Sequence, residues 1–309
     1  MISRRNIRIK VFQTIYELAQ QYDAPNPQTA QTILDNKLAD TEALLAAASH
    51  LAFLVSDYVL LYANQKAAKL LPTEADLNIN QKLAGNTVMK ALRSNRHFEE
   101  VIKKHNLSSL FDHELVRTVF QQLIETQAYQ EYILSEDHVL AEDKDITLFI
   151  LKHCIFQNEV ASAFLSEQFQ SWYIDAEMID SWFEKLVNNP SHFPFNKLIS
   201  GEKLNFAHDL LSAYYDKKEI VFQLIEPKLV NWDAERVALI DLILLHLGIC
   251  EMLYFPTIPV KVTINEYIDL AKSYSTLQSG QFVNGLLDNV HKELDRDQKL
   301  HKEHYQKKS

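Results

Sequence analysis

Only 5 glycines and 8 prolines punctuate a chain of 309 residues. That is too few to turn the chain of an all-β protein or a series of tight βα units, whereas long helices need few turns. The composition therefore reads as all-α. Cysteine is scarcer still: Cys154 and Cys250 cannot build a disulfide framework, which points to a reducing compartment. Both lie in apolar helical patterns, where buried, inert thiols are the rule. No long apolar stretch follows the basic N-terminal residues, so nothing there reads as a secretory signal. The most apolar run, Val237 to Leu247, contains Asp241 and His246 and is shorter than the ~20 residues needed to span a bilayer. A soluble, cytoplasmic protein without membrane attachment is expected.

Catalytic patterns are missing too. The 12 histidines are scattered, and their one close pair, His301 and His304, sits in a polar tail that reads as disordered. There is no His-Glu-x-x-His, no Cys-x-x-Cys, no phosphate loop and no Gly-x-Gly-x-x-Gly. A Gly-rich cofactor-binding sheet is not affordable with so few glycines. The expectation is a protein that is not an enzyme, with no catalytic residues, no metal and no cofactor.

What the chain has is apolar surface, 47% of its residues, and a polarised charge. Its net charge is −10, yet Arg4, Arg5, Arg8 and Lys10 all precede the first acid, Glu17, so the remainder carries −14. Screening confines the reach of a charge to roughly 8–10 Å at physiological salt. A basic end on an acidic body is thus compatible with RNA at that end and with a basic protein partner elsewhere.

Apolar periodicity predicts a first helix over 4–20, with Ile7, Val11, Phe12, Ile15 and Leu18 on one stripe. A break over Tyr22 to Pro27 precedes two long helices within 28–70. The pattern weakens over 72–110, where only 87–93 reads as helix. Further helices are expected at 113–133, 142–168, 175–187, 203–216, 217–230 and 234–254. Asn231 or Asp233 reads as the cap of the last of these, and Pro256 and Pro259 as its stop. Thr263-Ile264-Asn265-Glu266 fits a capping box, and Ser279 reads as the cap of a final helix, 280–294. Glu142, Leu151, Glu159 and Trp172 recur as Glu202, Leu211, Glu219 and Trp232, a possible 60-residue repeat that chance agreement between helices explains as well. Four regions are expected: 1–110 with the basic first helix, 111–200, 201–295, and a polar tail, 296–309. The apolar faces in 44–62 and 237–253 suit burial within one chain or across a dimer.

Two stretches carry a family resemblance. Arg4-Arg5-Asn6-Ile7-Arg8 leads into Val11-Phe12-Gln13-Thr14-Ile15-Tyr16-Glu17-Leu18. Far along the chain come Phe206-Ala207-His208-Asp209-Leu210-Leu211, then Asn231-Trp232-Asp233 with Arg236-Val237-Ala238, then Glu251-Met252-Leu253. Pro259-Val260-Lys261-Val262-Thr263-Ile264-Asn265-Glu266 and Phe282-Val283-Asn284-Gly285-Leu286-Leu287-Asp288 complete the series. In this order the pieces, residues 1–20 and 203–294, resemble the NusB family of transcription antitermination factors. The chain is about twice the usual family length. The resemblance implies an all-α fold of NusB-like helical bundles with extra helices inserted in the middle of the chain.

It also implies binding of single-stranded boxA-type RNA together with the ribosomal protein NusE, alongside other Nus factors and RNA polymerase, in transcription of ribosomal RNA operons. The residues it singles out for RNA are Arg4, Arg5, Arg8, Lys10, Gln13, Tyr16, Lys261 and Lys272; Tyr16 reads equally as core, and the two lysines equally as solvated. For a partner it singles out Glu251, Asn265, Glu266, Gln278, Phe282 and Asn284. Gln278 stands where relatives often have an acidic residue. Gly285, mid-helix, costs about 1 kcal/mol relative to Ala, and close packing of another helix is expected to offset that. The alternative is a helical scaffold for transcription or ribosome-assembly proteins without specific RNA binding.

Overall fold

The computed structural model describes residues 2–21, 26–229 and 237–303, and among them there is no β-strand. The helices are α1 (Arg4–Gln21), α2 (Pro27–Ala67), α3 (Glu74–Leu77), α4 (Thr87–Arg93), α5 (Arg96–Lys104), α6 (His113–Ile124), α7 (Gln127–Tyr132), α8 (Leu140–Phe149), α9 (Glu159–Gln168), α10 (Trp172–Asn188), α11 (Gly201–Asp216), α12 (Lys218–Ile225), α13 (Leu239–Tyr254), α14 (Val260–Tyr274) and α15 (Leu277–Arg296). The all-α expectation holds. Two compact units divide the chain: a continuous unit, 37–198, and a split unit that joins 2–36 to the residues from 199 on. The expected boundary at 110 therefore falls inside one unit, and the first helix belongs with the last five.

The continuous unit is organised by α2. Two long helices were expected within 28–70; instead one helix runs unbroken for 41 residues. Its run Ala43 to Ala48 is at most 4% exposed and lies in the core of this unit. By length and composition α2 is apolar enough to cross a membrane, but 67% of its most apolar window is buried in the protein, as befits a core helix. Around it the sequence sets helix ends with side-chain caps. Asn86 and Asn95 each accept two backbone N–H bonds and start α4 and α5, the latter inside the stretch expected to lack pattern. Thr126 caps α7 and Asn158 caps α9, which is why the expected helices 113–133 and 142–168 are each broken. Between α8 and α9 the chain widens into a π-helical turn over Ile150–Phe156.

In the split unit α1 packs on α11 and α13, and α13, α14 and α15 pack on one another. α13 is the central helix, with Ile243 to Cys250 all buried. Gly248 lies close under its neighbours, since a Cβ there would stand 3.1 Å from the Leu287 side chain and 3.3 Å from the Tyr267 ring, which would have to shift by a few tenths of an ångström. The caps expected at Asn231 or Asp233, like Tyr22 to Pro25, Trp232, Arg236 and His304, lie outside the described residues. Two other caps are corrected. Helix α14 starts after Pro259, so Thr263 lies within it and is fully buried rather than a cap. Thr276 caps α15, with Ser279 as the reciprocating third residue of its capping box. Pro227 ends α12 early, in a 3-10 turn over Glu226–Lys228.

The expected polar tail is not free up to residue 303. Lys302 donates to the carbonyls of Glu251 (3.1 Å) and Phe255 (2.8 Å), capping the end of α13, and the Glu303 N–H donates to the Pro256 carbonyl at 3.0 Å. Burial there lowers the Lys302 ammonium to about 8. The supposed repeat finds no matching geometry: 140–156 passes from α into π-helix, while 201–216 is unbroken α.

Candidate functional site

Basic residues in the first turn of a helix oppose its macrodipole, so acidic neighbours are needed to hold them there. The split unit supplies them. Arg4 reaches Glu202 of α11 at 2.6 Å, and Arg5 lies 3.8 Å from Glu266 and 3.9 Å from Asp269 of α14. Arg8 makes a two-pronged contact with Glu251 of α13, 2.8 Å at each prong. The Arg8 side chain is only 3% exposed and that of Glu251 fully buried. Thr263 donates its hydroxyl to Glu251 at 2.7 Å, the Tyr267 hydroxyl stands at 3.4 Å, and Glu266 lies 3.4 Å from Arg8. Burial alone would lower the Arg8 guanidinium, but its bonds to Glu251 outweigh that and hold it above its ordinary range. Burial, with Glu251 beside it, likewise holds the Tyr267 phenol in its neutral form. Arg4 and Arg8 also lie over the Phe206 ring, at 5.8 and 5.5 Å from its centroid.

This geometry corrects several expected roles. Arg8 and Glu251 form a buried knot joining α1, α13 and α14, and are not surface contacts for RNA or a partner. Lys10 is completely buried and cannot present its charge to a strand from there. Phe282 is 5% exposed and packs in the core. Gly285 is exposed, and a Cβ there would meet nothing within 4 Å, so no close helix packing accounts for it. The tight approach falls instead at Gly280, where a Cβ would lie 2.7 Å from the Lys272 side chain.

The other singled-out residues reach the surface. Arg4 and Arg5 keep 39% and 41% of their side chains exposed. Lys261, Asn265 and Lys272 are exposed on α14, with Lys272 at 3.8 Å from Asp269, so that Arg5 and Lys272 share that carboxylate. Gln13 and Tyr16 are half-buried, and the Tyr16 hydroxyl accepts a bond from Gln20 at 2.6 Å. Gln278 and Asn284 are exposed on α15 with Gln281 and Gly285, spaced to line one face of the helix. What the sequence did not single out is the carboxylate set, Glu202 and Asp269, and the Thr263–Tyr267 pair. Their i, i+4 spacing on α14 was the available signal for the latter.

Both cysteines are buried, and burial pushes each thiol up to about 12. No group of three His, Cys, Asp or Glu residues is placed to hold a metal ion, among the described residues.

A model of the NusB family matches residues 169–292. The match starts earlier than expected, just before α10, and does not take in α1. The transcription antitermination protein NusB of Bacillus mycoides (strain KBAB4) is 38% identical over 96 residues, 31% of this chain and 74% of the relative. That of Carboxydothermus hydrogenoformans is 35% identical over 114 residues, 37% of this chain and 74% of the relative. That of Geotalea daltonii is 35% identical over 119 residues, 38% of this chain and 82% of the relative. No solved structure matches the chain.

Proposed function

The chain belongs to the NusB family, and from that premise we propose that it is a transcription antitermination factor that binds boxA-type RNA together with the ribosomal protein NusE, in support of ribosomal RNA operon transcription. Other Nus factors and RNA polymerase are its further partners in this reading, and it acts in the cytoplasm by binding rather than by catalysis. The observation that carries the reading is the division of labour among the first arginines. Arg8 is spent on the buried knot, which fixes the start of α1 against α13 and α14. Arg4 and Arg5 are thereby held half-exposed, with Lys261 and Lys272 exposed on α14. Guanidinium groups so held contact phosphates and stack on unpaired bases. The exposed face of α15 around Gln278 and Asn284, with Asn265 and Glu266 of α14, is the surface assigned to NusE.

A second reading has its own observation. Each of Arg4, Arg5 and Arg8 already faces a carboxylate, which suits a protein-binding scaffold with no specific affinity for RNA. Fluorescence anisotropy separates the two. A boxA-bearing RNA and a scrambled control are titrated with the full chain, with and without NusE. Four phosphate contacts, from Arg4, Arg5, Lys261 and Lys272, predict that log affinity falls with log salt at a slope near about −3, at roughly −0.7 per contact for a single strand. Replacing Arg4 and Arg5 by Ala should bring the slope to about −1.5. A stable NusE complex with no preference for boxA establishes the scaffold instead.

A further inference from the structure

The continuous unit carries a second cluster of part-exposed cations that nothing so far explains. Its floor is aromatic: Tyr58 and Tyr62 of α2 pack against Phe120 of α6 at 5.1 and 5.3 Å between ring centroids. Above it opens a groove of about 860 Å³ between α2 and α6. Tyr58, Tyr62, Gln65, Lys66 and Lys69 line one wall, and Arg117, Thr118, Gln121, Gln122, Ile124 and Glu125 the other. Each set recurs at helical spacing, so two stripes face each other. Lys66, Lys69 and Arg117 keep 32%, 45% and 49% of their side chains exposed.

The charge is local. Between residues 60 and 117 Lys and Arg outnumber Asp and Glu nine to six, whereas between 131 and 184 they are outnumbered two to twelve. Three anions face the cations: Asp76 lies 2.7 Å from Lys69 and 4.0 Å from Lys66, Glu114 lies 3.6 Å from Arg117, and Glu125 is on the wall. The Arg117–Glu114 pair is exposed and contributes at most about 1 kcal/mol, so a phosphate exchanges with it readily. Asp76, by contrast, is buried and also bonded by Thr73, and the ammonium groups of Lys66 and Lys69 beside it stay part-exposed. Lys66 also stands 5.1 Å from the Tyr62 ring centroid.

We infer that this groove binds single-stranded RNA as a second contact, outside the surface shared with the family. A helical peptide would need apolar anchors along the groove, and Ile124 is the one aliphatic side chain on its walls. Amide and hydroxyl groups over an aromatic floor, rimmed by cations, match the needs of unpaired bases on a phosphodiester backbone. The inference rests on the chain being an RNA-binding factor, and extends its footprint from the split unit to the continuous one.

The test uses the full chain and the triple variant Lys66→Glu, Lys69→Glu, Arg117→Glu, with labelled boxA RNA carrying a 3′ oligouridine extension. Losing three contacts should make the salt slope shallower by about 2, and the extension should cease to add affinity. In parallel, 4-thiouridine in the extension is photocrosslinked to the wild-type chain, which avoids any dependence on folding of the variant. Crosslinks at 58–69 or 117–125 support the groove. Crosslinks confined to the split unit, or an unchanged slope in a folded variant, overturn it and leave the proposed function standing. Groove crosslinks without preference for boxA keep the groove and remove boxA recognition. A wild-type chain that binds neither RNA overturns both.

Discussion

Glu251 of the split unit and Asp143 of the continuous unit are both completely buried carboxylates, and the two are compensated differently. In the split unit Glu251 is compensated by a formal charge, the guanidinium of Arg8, brought from 243 positions away along the chain. In the continuous unit Asp143 is held chiefly by neutral donors: the Thr87 N–H at 2.8 Å, the Thr87 hydroxyl at 2.7 Å and the Tyr132 hydroxyl at 2.6 Å, with His138 Nδ1 at 3.2 Å. Burial would raise the Asp143 carboxyl, but the Tyr132 and Thr87 bonds outweigh it and hold it below its usual range. An ion pair concentrates the compensation in one partner; a shell of hydrogen bonds spreads it over several. The first should therefore be the more brittle of the two.

Removing one partner from each is the largest test of that contrast. Arg8→Ala leaves a buried, uncompensated carboxylate and should cost roughly 3–5 kcal/mol. Asp143→Asn loses charge-assisted bonds but keeps a polar group for the same donors, and should cost roughly 1.5–3 kcal/mol. Urea unfolding of the full chain, followed by a probe in each unit, measures both. Equal losses, or a larger loss for Asp143→Asn, would mean that the ion pair is no more brittle than the hydrogen-bonded shell.

A buried base sharpens the comparison through pH. His246 of the split unit is 7% exposed and lies 4.3 Å from the Tyr214 ring. Burial, helped by the charge of Lys218, lowers its imidazole from 6.5 to about 4. The unfolded chain thus binds a proton that the folded chain refuses between those values, so stability rises with pH across that window. The penalty is absent above 6.5 and grows as pH falls, to about 2 kcal/mol at pH 5 and about 3 kcal/mol below pH 4. His50 of the continuous unit is lowered by burial as well, with the same sign. His246→Phe should therefore lose about 2 kcal/mol less than the wild type between pH 7 and pH 5, in the split unit's transition alone. Parallel losses in both proteins would assign the acid sensitivity elsewhere.

How much of this was legible beforehand differs between the units for a physical reason. The split unit's helices carry strong apolar stripes, so α1 and α11 lie close to their expected spans. Its buried knot was half-legible: Arg8 and Glu251 stood out, but as contacts for RNA and a partner, because sequence shows charge and not burial. In the continuous unit α5 and the breaks at Thr126 and Asn158 were missed, since a cap is one polar side chain whose role depends on what the following residues pack against. The Asp143 shell was invisible. Thr87, Tyr132 and His138 are unremarkable residues until the fold brings them to one carboxylate. The groove was missed too, because its two stripes lie on helices whose facing is set by packing alone.

Glycine gives the smallest and most local test. Gly85 of the continuous unit has an internal reason to be glycine, since a Cβ there would lie 2.5 Å from the His138 ring that reaches Asp143. Gly248 is filled likewise by Leu287 and Tyr267. Gly285, mid-helix and exposed, has no such neighbour, so its conformational cost of about 1 kcal/mol relative to Ala is offset by nothing inside the chain. Gly285→Ala should therefore stabilise the split unit by up to about 1 kcal/mol, while Gly248→Ala destabilises it. If the open space beside Asn284 serves the approach of NusE, the same Gly285→Ala variant should bind NusE more weakly while being the more stable protein. Calorimetric titration of NusE into the two variants reads this directly. A gain in stability with unchanged affinity would remove Gly285 from the partner surface and leave the exposed side chains of α15 to define it.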